Sequence, residues 1–387
     1  MQNFLSYSTD ELSALMASWD QPSWRVRQLC EWVWQRGAGD YTEMTNLPLA
    51  LRERLAAELP LQRAQVVERL QGSDGARKYL LRFADGVCVE TVGIPDDKST
   101  PGAVLPPGAR LTVCVSSQAG CAMGCVFCAT GRQGLIRNLS AGEIAEQVRV
   151  VGADFGQAVT NVVVMGQGEP FANYNATLDA LRLLNNPQAF DIGARHLTVS
   201  TSGIITGIDR LAEEPEQFRL AVSLHAATQE LRDRLMPGLS GQPLDKLRDA
   251  LVRYRDRSGR RPSLEYVLLR DVNDCDSDLA ALADFAHATR AHINLLPYND
   301  VESDKAELGS GTLSHDHDKV PDPLSASPRM RQAAEFLRGT GIETTVRHSR
   351  GADIAAACGQ LAGATLVTRN TKDFESIEGL KLVNPWE

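Results

Sequence analysis

The sequence predicts an α/β protein: a partial (β/α)6 barrel with a small helical accessory domain at its N-terminus. From residue 111 onward, short runs rich in Val, Ile and Leu alternate with longer amphipathic stretches. That is the pattern of parallel strands connected by helices. Before residue 60 the alternation is missing and helix-start signals dominate. A length of 387 residues suits one large catalytic domain plus a small second one.

The elements follow in order. Ser8-Thr9-Asp10-Glu11 reads as a helix start, with apolar Leu12, Leu15 and Met16 behind it. Further helices are predicted over Trp24–Trp34 and Leu49–Leu59. Arg25, Arg27, Arg36, Arg52 and Arg54 lie among the tryptophans, a mixture suited to RNA. The tryptophans themselves are expected mostly in the core of a small bundle, leaving the arginines as RNA contacts. Residues 77–94 alternate apolar and polar positions around Ala84-Asp85-Gly86, which predicts a hairpin. Asp96–Gly108, rich in Pro, Gly and Asp, reads as a loop. Strands are then expected at Leu111–Ser116, Asn161–Met165, His196–Ser200, Leu220–Leu224, Leu264–Leu268, Ile293–Leu296 and Glu343–Val346. Helices between them include Ala141–Gly152, Ala176–Asn185, Pro243–Arg257 and Asp276–Thr289. Active groups of such a barrel belong at the carboxyl ends of its strands. The partition is a helical domain at 1–70, a hairpin extension and linker at 71–110, the barrel and a final cysteine segment at 111–362, and a tail at 363–387.

Composition narrows the class. A hydrophobic fraction of 43% is that of an ordinary globular protein. No apolar run reaches membrane-spanning length, and Met1-Gln2-Asn3-Phe4 does not open a secretory signal. The eight cysteines are clustered rather than laid out as a disulfide framework, which points to a reducing cytoplasm. The net charge of −9 weighs against nucleic acid only as a whole-chain sum, since a basic face can coexist with an acidic back.

Cys121, Cys125 and Cys128 form C-x3-C-x2-C. Three thiolates at that spacing can hold three irons of a [4Fe–4S] cluster and leave the fourth open. An open iron can chelate S-adenosylmethionine (SAM) and pass it an electron. Reductive cleavage then gives a 5′-deoxyadenosyl radical able to take hydrogen from an unactivated C–H bond. A structural zinc site, the competing reading, wants a fourth ligand and usually C-x2-C pairs. The barrel is therefore expected to be of the radical-SAM type.

The stretch from Cys114 to Gln147, with M-G-Q-G-E-P (165–170), S-L-H-A (223–226), L-P-Y-N (296–299) and R-G-A-D-I-A-A-A-C-G-Q-L (350–361), resembles the RlmN/Cfr family of radical-SAM RNA methyltransferases. The resemblance covers about residues 5–362. It implies two SAM molecules per turnover. One methylates Cys358; the other supplies the radical that takes hydrogen from that S-methyl group. The carbon radical adds to an electron-poor carbon of adenine, giving a protein–RNA thioether. Cys114 matches the resolving cysteine, which attacks the Cys358 sulfur and leaves a disulfide for a cellular reductant. Glu90 matches the acceptor of the adenine ring proton. By the same resemblance Gly168 and Glu169 bind the methionine part of SAM. Ser200 and the segment Ser223, Leu224 and His225 bind ribose and neighbouring atoms, and Asn299 contacts adenine or ribose. The glycines around Gln167 are expected to let the backbone approach the ligand. Gln167 stands where the family has Met, and His225 is taken as a hydrogen-bonding pocket residue rather than a general base.

The implied substrates are adenosine 2503 of 23S rRNA and adenosine 37 of tRNA, both at C2. The implied partner is an electron donor such as flavodoxin, and the chain is expected to be a cytoplasmic monomer. C8 methylation of the Cfr type is the alternative, against which Glu169-Pro170 is the C2-like form. A non-catalytic RNA-binding or toxin–antitoxin-linked protein is the rival from another class, and five such thiols argue against it. Cys30, Cys88 and Cys275 match no motif and are expected to be packing residues. Asp304–Ser327, including His315-Asp316-His317-Asp318, reads as a solvated loop rather than a metal site. Ala364–Glu387 resembles the final strand–turn–strand of a VapC-type PIN domain, with too few carboxylates for a nuclease.

Overall fold

A computed structural model of the chain describes residues 3–96, 108–299, 324–357 and 360, and the main chain of 365–367 and 381–383. Contacts divide it into two units. The first comprises residues 1–119, 135–199 and 216–219; the second comprises 120–134, 200–215 and 220–387.

The first unit begins with helices set by local signals. α1 (Thr9–Ser18) opens on a capping box: Ser8 Oγ accepts from the Glu11 amide, and the Glu11 carboxylate accepts from the Ser8 amide at 2.8 Å. α2 (Trp24–Cys30) runs into a π-helical turn at Glu31–Gln35, where the Arg36 amide reaches back to the Glu31 carbonyl at 3.0 Å. α3 is Leu49–Glu58. Leu12, Met16, Leu29, Val33, Trp34, Leu51 and Leu55 make the core of this region. Not every tryptophan joins it. Trp24, at the first position of α2, is 43% exposed with the Arg25 guanidinium 4.0 Å from its ring. Half-buried Trp32 carries Arg36 at 4.4 Å. The apolar stripe of this helix runs through Val26, Leu29, Cys30 and Val33 and leaves both rings outside it.

The turn Phe4–Ser6 that precedes α1 packs on α5 (Ala141–Phe155). A Cβ at Gly142 would stand 2.4 Å from the Leu5 carbonyl oxygen, so only glycine permits the approach. Arg63 ties the contact by pairing with fully buried Glu146 at 2.9 Å while donating to the Val33 and Ala38 carbonyls.

The predicted hairpin is part of a larger meander. β1 (Gln65–Gln71), β2 (Arg77–Arg82), β3 (Cys88–Pro95) and β4 (Leu111–Cys114) run antiparallel in that order. A short ribbon, β5 (Gln118–Gly120) with β6 (Leu135–Asn138), follows. β7 (Asn161–Val164) then pairs in parallel with β4, and β8 (Leu197–Thr201) with β7. α6 (Tyr174–Asn185) lies against α5.

Register assigns the faces of the meander. Gly93 faces α5, where a Cβ would meet the Phe155 ring at 2.5 Å. Arg77 and Tyr79 share that side and bond Asp154 at 2.8 and 2.6 Å. The opposite face carries Lys78, Glu90 and Cys114. Lys78 stands across from Val92, Val92 across from Cys114, and Leu80 across from Glu90.

The second unit holds β9 (Arg219–Ser223), β10 (Ser263–Leu268), β11 (His292–Pro297) and β12 (Thr344–Val346), all parallel. Its longer helices are α7 (Ile205–Glu213), α9 (Leu244–Ser258), α10 (Asp276–Thr289) and α11 (Met330–Gly339). Short α4 (Ala129–Gln133) and α8 (Gln229–Leu235) complete it. All seven expected parallel strands are present within one or two residues of the predicted bounds. In the tail, β13 (Thr365–Val367) and β14 (Lys381–Val383) pair in parallel. No helix among the described residues is long and apolar enough to cross a membrane.

Candidate functional site

In the second unit the three clustered cysteines occupy one loop, Gly120–Cys128, leading into α4. All three are half-buried. The loop is fixed through its main chain. The Cys121 amide donates to the Gly134 carbonyl at 2.9 Å and the Cys128 amide to the Cys125 carbonyl at 3.1 Å. Gly124 adopts φ 61°, and a Cβ at Gly131 would stand 2.8 Å from the Cys125 nitrogen. The turn after α8 clamps the same loop from outside. Val126 donates to the Leu235 carbonyl at 3.1 Å, and Gly238 donates to Met123 at 2.9 Å. A Cβ at Gly238 would fall 2.6 Å from the Met123 backbone.

Among the described residues no three His, Cys, Asp or Glu side chains gather around one metal ion. A cubane cluster asks for something else, since each thiolate binds a different iron and the three do not share a coordination sphere. Three partly exposed thiols on one rigid loop are a donor set that fits it.

The carboxyl ends of the strands in this unit are polar. Ser200 Oγ lies 3.5 Å from Ser223 Oγ. Across β10, buried Glu265 stands in register with Ser223 and Asn294, and accepts from Asn294 Nδ2 at 2.7 Å. Burial pushes the Glu265 carboxyl up, against the opposing pull of Arg347 and Asn294. His225, buried and at φ 55°, accepts at Nδ1 from the Val267 amide at 3.0 Å. An accepting Nδ1 places the ring proton on Nε2. Burial, with the nearby charge of Arg232, pushes its pKa down to about 3. His225 is therefore a neutral donor and not a base. Tyr298 is buried before half-buried Asn299.

Arg232, 2% exposed, is the hub of this region. Its guanidinium donates to the Ser202, Ser223 and Leu224 carbonyls and to Met236 Sδ at 3.5 Å. Burial lowers its pKa to about 10, while the Cys125 thiolate holds it up. Arg232→Met is expected to destabilise the protein by several kcal/mol, since each orphaned carbonyl costs about 1–3 kcal/mol. Thermal denaturation monitored by circular dichroism measures the loss; an unchanged melting temperature would show that these carbonyls find other donors.

In the first unit a second set of groups converges at the end of β4. Fully buried Gln147 of α5 grips Ser116 by both amide atoms: Oε1 accepts from the Ser116 amide at 2.8 Å and Nε2 donates to its carbonyl at 2.9 Å. Ser116 Oγ donates to the Glu90 carbonyl at 2.6 Å and accepts from the Gln167 amide at 2.9 Å. Gln118 Oε1 accepts from the Glu169 amide at 2.7 Å. Gly166 and Gly168 are required here by the packing of the protein itself. Added Cβ atoms would stand 2.8 Å from Val115 O and 2.5 Å from Gln118 Cβ. Glu169 is buried, with Oε1 accepting from the Phe171 amide. Next to it Gln167 Oε1 is buried with no hydrogen-bond partner among the described residues. An orphaned acceptor beside a buried carboxylate fits the ammonium group of an amino-acid ligand.

Gly168, Glu169, Glu90 and Cys114 thus lie in the first unit, and the cysteine loop, Ser200, Ser223, Leu224, His225 and Asn299 in the second. Cys358 and residues 301–323, with the His315–Asp318 run, lie outside the described residues. Glu90 does not point to open solvent as a lone strand glutamate would; it pairs with buried Lys78 at 3.2 Å. Cys30 is buried as expected. Cys275 is exposed at the start of α10, its thiol donating to Asp278 at 2.8 Å, so it is no packing residue. Lys78, Ser116, Gln118, Gln147, Arg232 and Glu265 were not legible as site residues. Only the placement of Ser116, Gln118 and Gln147 inside the Cys114–Gln147 stretch hinted at three of them.

The family model described as "Radical SAM superfamily" matches residues 115–285, and that described as "Ribosomal RNA large subunit methyltransferase N-terminal domain" matches 2–60. The chain is 42% identical to a protein of Gemmatimonas aurantiaca named "Probable dual-specificity RNA methyltransferase RlmN", over 93% of each chain. A Chloroflexus aurantiacus protein of the same name is 43% identical over 95% of each chain. The crystal structure of a radical SAM methyltransferase from Sphaerobacter thermophilus superposes with a TM-score of 0.80 at 41% identity, covering 93% of this chain and 99% of that one.

Proposed function

The chain belongs to the RlmN family of radical-SAM RNA methyltransferases, and on that premise we propose that it methylates C2 of adenosine 2503 in 23S rRNA and of adenosine 37 in tRNA. It is a SAM-dependent RNA adenine methyltransferase that uses a [4Fe–4S] cluster. The observation that carries the reading is similarity at about 40% identity over nearly the full length of several relatives, together with the cysteine loop. Glu169-Pro170 supports C2 over C8.

Cys121, Cys125 and Cys128 would hold the cluster, which when bound would supply the electron that cleaves SAM and take back the one electron left over once the carbon radical has added to adenine. Glu169 and Gln167 Oε1 would take the SAM ammonium group, Gly168 and Asn299 would line the ligand, and Ser200 and Ser223 would take its ribose. His225 orients a ligand atom through its fixed Nε2–H. Cys358 carries the incoming carbon as a thioether to adenine. Glu90 then removes the C2 proton, leaving the bond electrons in the ring. The Cys114 thiolate attacks the Cys358 sulfur: an S–S bond forms and the S–CH2 bond breaks. The released electron pair takes a proton, completing the methyl group. A dithiol reductant returns both cysteines to thiols, and a flavodoxin-type protein supplies the electrons for SAM cleavage. The reading places the protein in the cytoplasm as a monomer.

The test is mass spectrometry of 23S rRNA and tRNA from cells with and without the protein. 2-Methyladenosine that appears only with the protein is the expected result. 8-Methyladenosine would transfer the chain to the Cfr-type activity, and no mass change in either RNA would end the proposal.

A further inference from the structure

We propose that Lys78 is the positioning residue of the ring-proton acceptor, its buried ammonium holding the Glu90 carboxylate ionised and aimed while the protein–RNA adduct is resolved. This rests on the reading of Glu90 as that acceptor.

The geometry is specific. Lys78 Nζ lies 3.2 Å from Glu90 Oε1, and the two side chains are 3% and 13% exposed. They sit diagonally across the β2–β3 ladder on the face that also carries Cys114, away from α5. A lysine so deeply buried is costly for stability alone, because an apolar side chain of similar size would serve as well or better. Burial pulls the Lys78 ammonium below its usual range, and Glu90 and then Glu68 draw it back up. On this face the titratable groups around Glu90 are Lys78 and Arg82 on β2, Cys88 on β3 itself, Glu68 on β1 and Cys114 on β4.

The charge matters for the proton transfer. A carboxylate in a site with little water is a poor base only if it is already protonated. An adjacent fixed cation keeps it ionised, and the low local dielectric strengthens that effect. The ammonium lies against one carboxylate oxygen, Oε1, and so orients the carboxylate. After transfer Glu90 is a neutral acid and Lys78 is still charged, so no proton is exchanged between them.

Single-turnover methylation of a 23S rRNA fragment, followed against pH, tests this in holoenzyme carrying Lys78→Met, Lys78→Arg or Glu90→Gln. Lys78→Met is expected to move the acid limb to higher pH and to slow turnover at neutral pH about tenfold. It should also enlarge the isotope effect from a fragment deuterated at the target C2, while SAM cleavage to 5′-deoxyadenosine continues. Lys78→Arg should restore the acid limb. If Lys78→Met fails to retain iron, Lys78→Gln is measured in its place. An acid limb and isotope effect unchanged in the Met or Gln variant, with Glu90→Gln inactive, would overturn the role of Lys78 and leave that of Glu90 standing. Wild-type turnover by Glu90→Gln would instead remove the acceptor reading, and the proposal with it.

Discussion

Cys125→Ala is expected to abolish iron binding, SAM cleavage and RNA methylation together. The loop around Cys125 offers no substitute ligand. Its flanks are pinned by the Val126–Leu235 and Gly238–Met123 bonds, and Gly131 packs against the Cys125 backbone itself. A loop so fixed cannot slide another side chain into place. Two remaining thiolates would leave two irons without a protein ligand, and a cluster so held is readily lost. The fold should persist, because the loop is held through its main chain. Iron and sulfide analysis of anaerobically reconstituted protein, with 5′-deoxyadenosine measured in the same sample, gives the readout. Cys275→Ala is the control and should retain both, being an exposed thiol bonded only to neighbours on its own helix. Full iron content and normal SAM cleavage in the Cys125 variant would remove this residue from the cluster.

Cys114→Ala should stop the reaction later and more visibly, with protein covalently bound to RNA. Formation of the adduct needs the cluster loop and Cys358; release needs a second thiolate to attack the thioether sulfur. Cys114 closes β4 with its carbonyl accepting from Thr91 Oγ1 at 2.8 Å, so the side chain can be cut back without disturbing that bond. Alanine there removes the sulfur and leaves the strand. A denaturing gel with labelled 23S rRNA fragment should show a shifted band holding most of the enzyme after one turnover. Methylated free RNA at the wild-type rate, with no shifted band, would exclude Cys114 from release.

The parallel strands were legible because Val, Ile and Leu fill most of their buried positions, a signal contained in four or five residues. Val162, Val164, Leu220 and Val222 are examples. β1 escaped because it is an edge strand with polar, exposed positions along most of its length. The cysteine loop was legible from spacing alone. Its supports were not. Arg232, Gln147 and Lys78 carry no periodic signal of burial, and only tertiary contacts reveal that each is buried. Glycines in the M-G-Q-G-E-P stretch were recognised as necessary, and the structure adds neighbours the sequence did not name. They make room for Val115 and Gln118, so the ligand-binding loop is shaped first by its fit to the protein.

The amide of Gln147 pairs with Ser116 as a peptide group of an adjacent strand would. In effect α5 lends one rung to the ladder just where β4 runs out of partners. Strand ends usually fray, and a thiol on a fraying end would sample many positions. Here the end is stitched to the middle of a fifteen-residue helix, and Cys114 inherits the stillness of that helix. Any thioether that Cys114 is to attack would therefore meet a thiol held at one place.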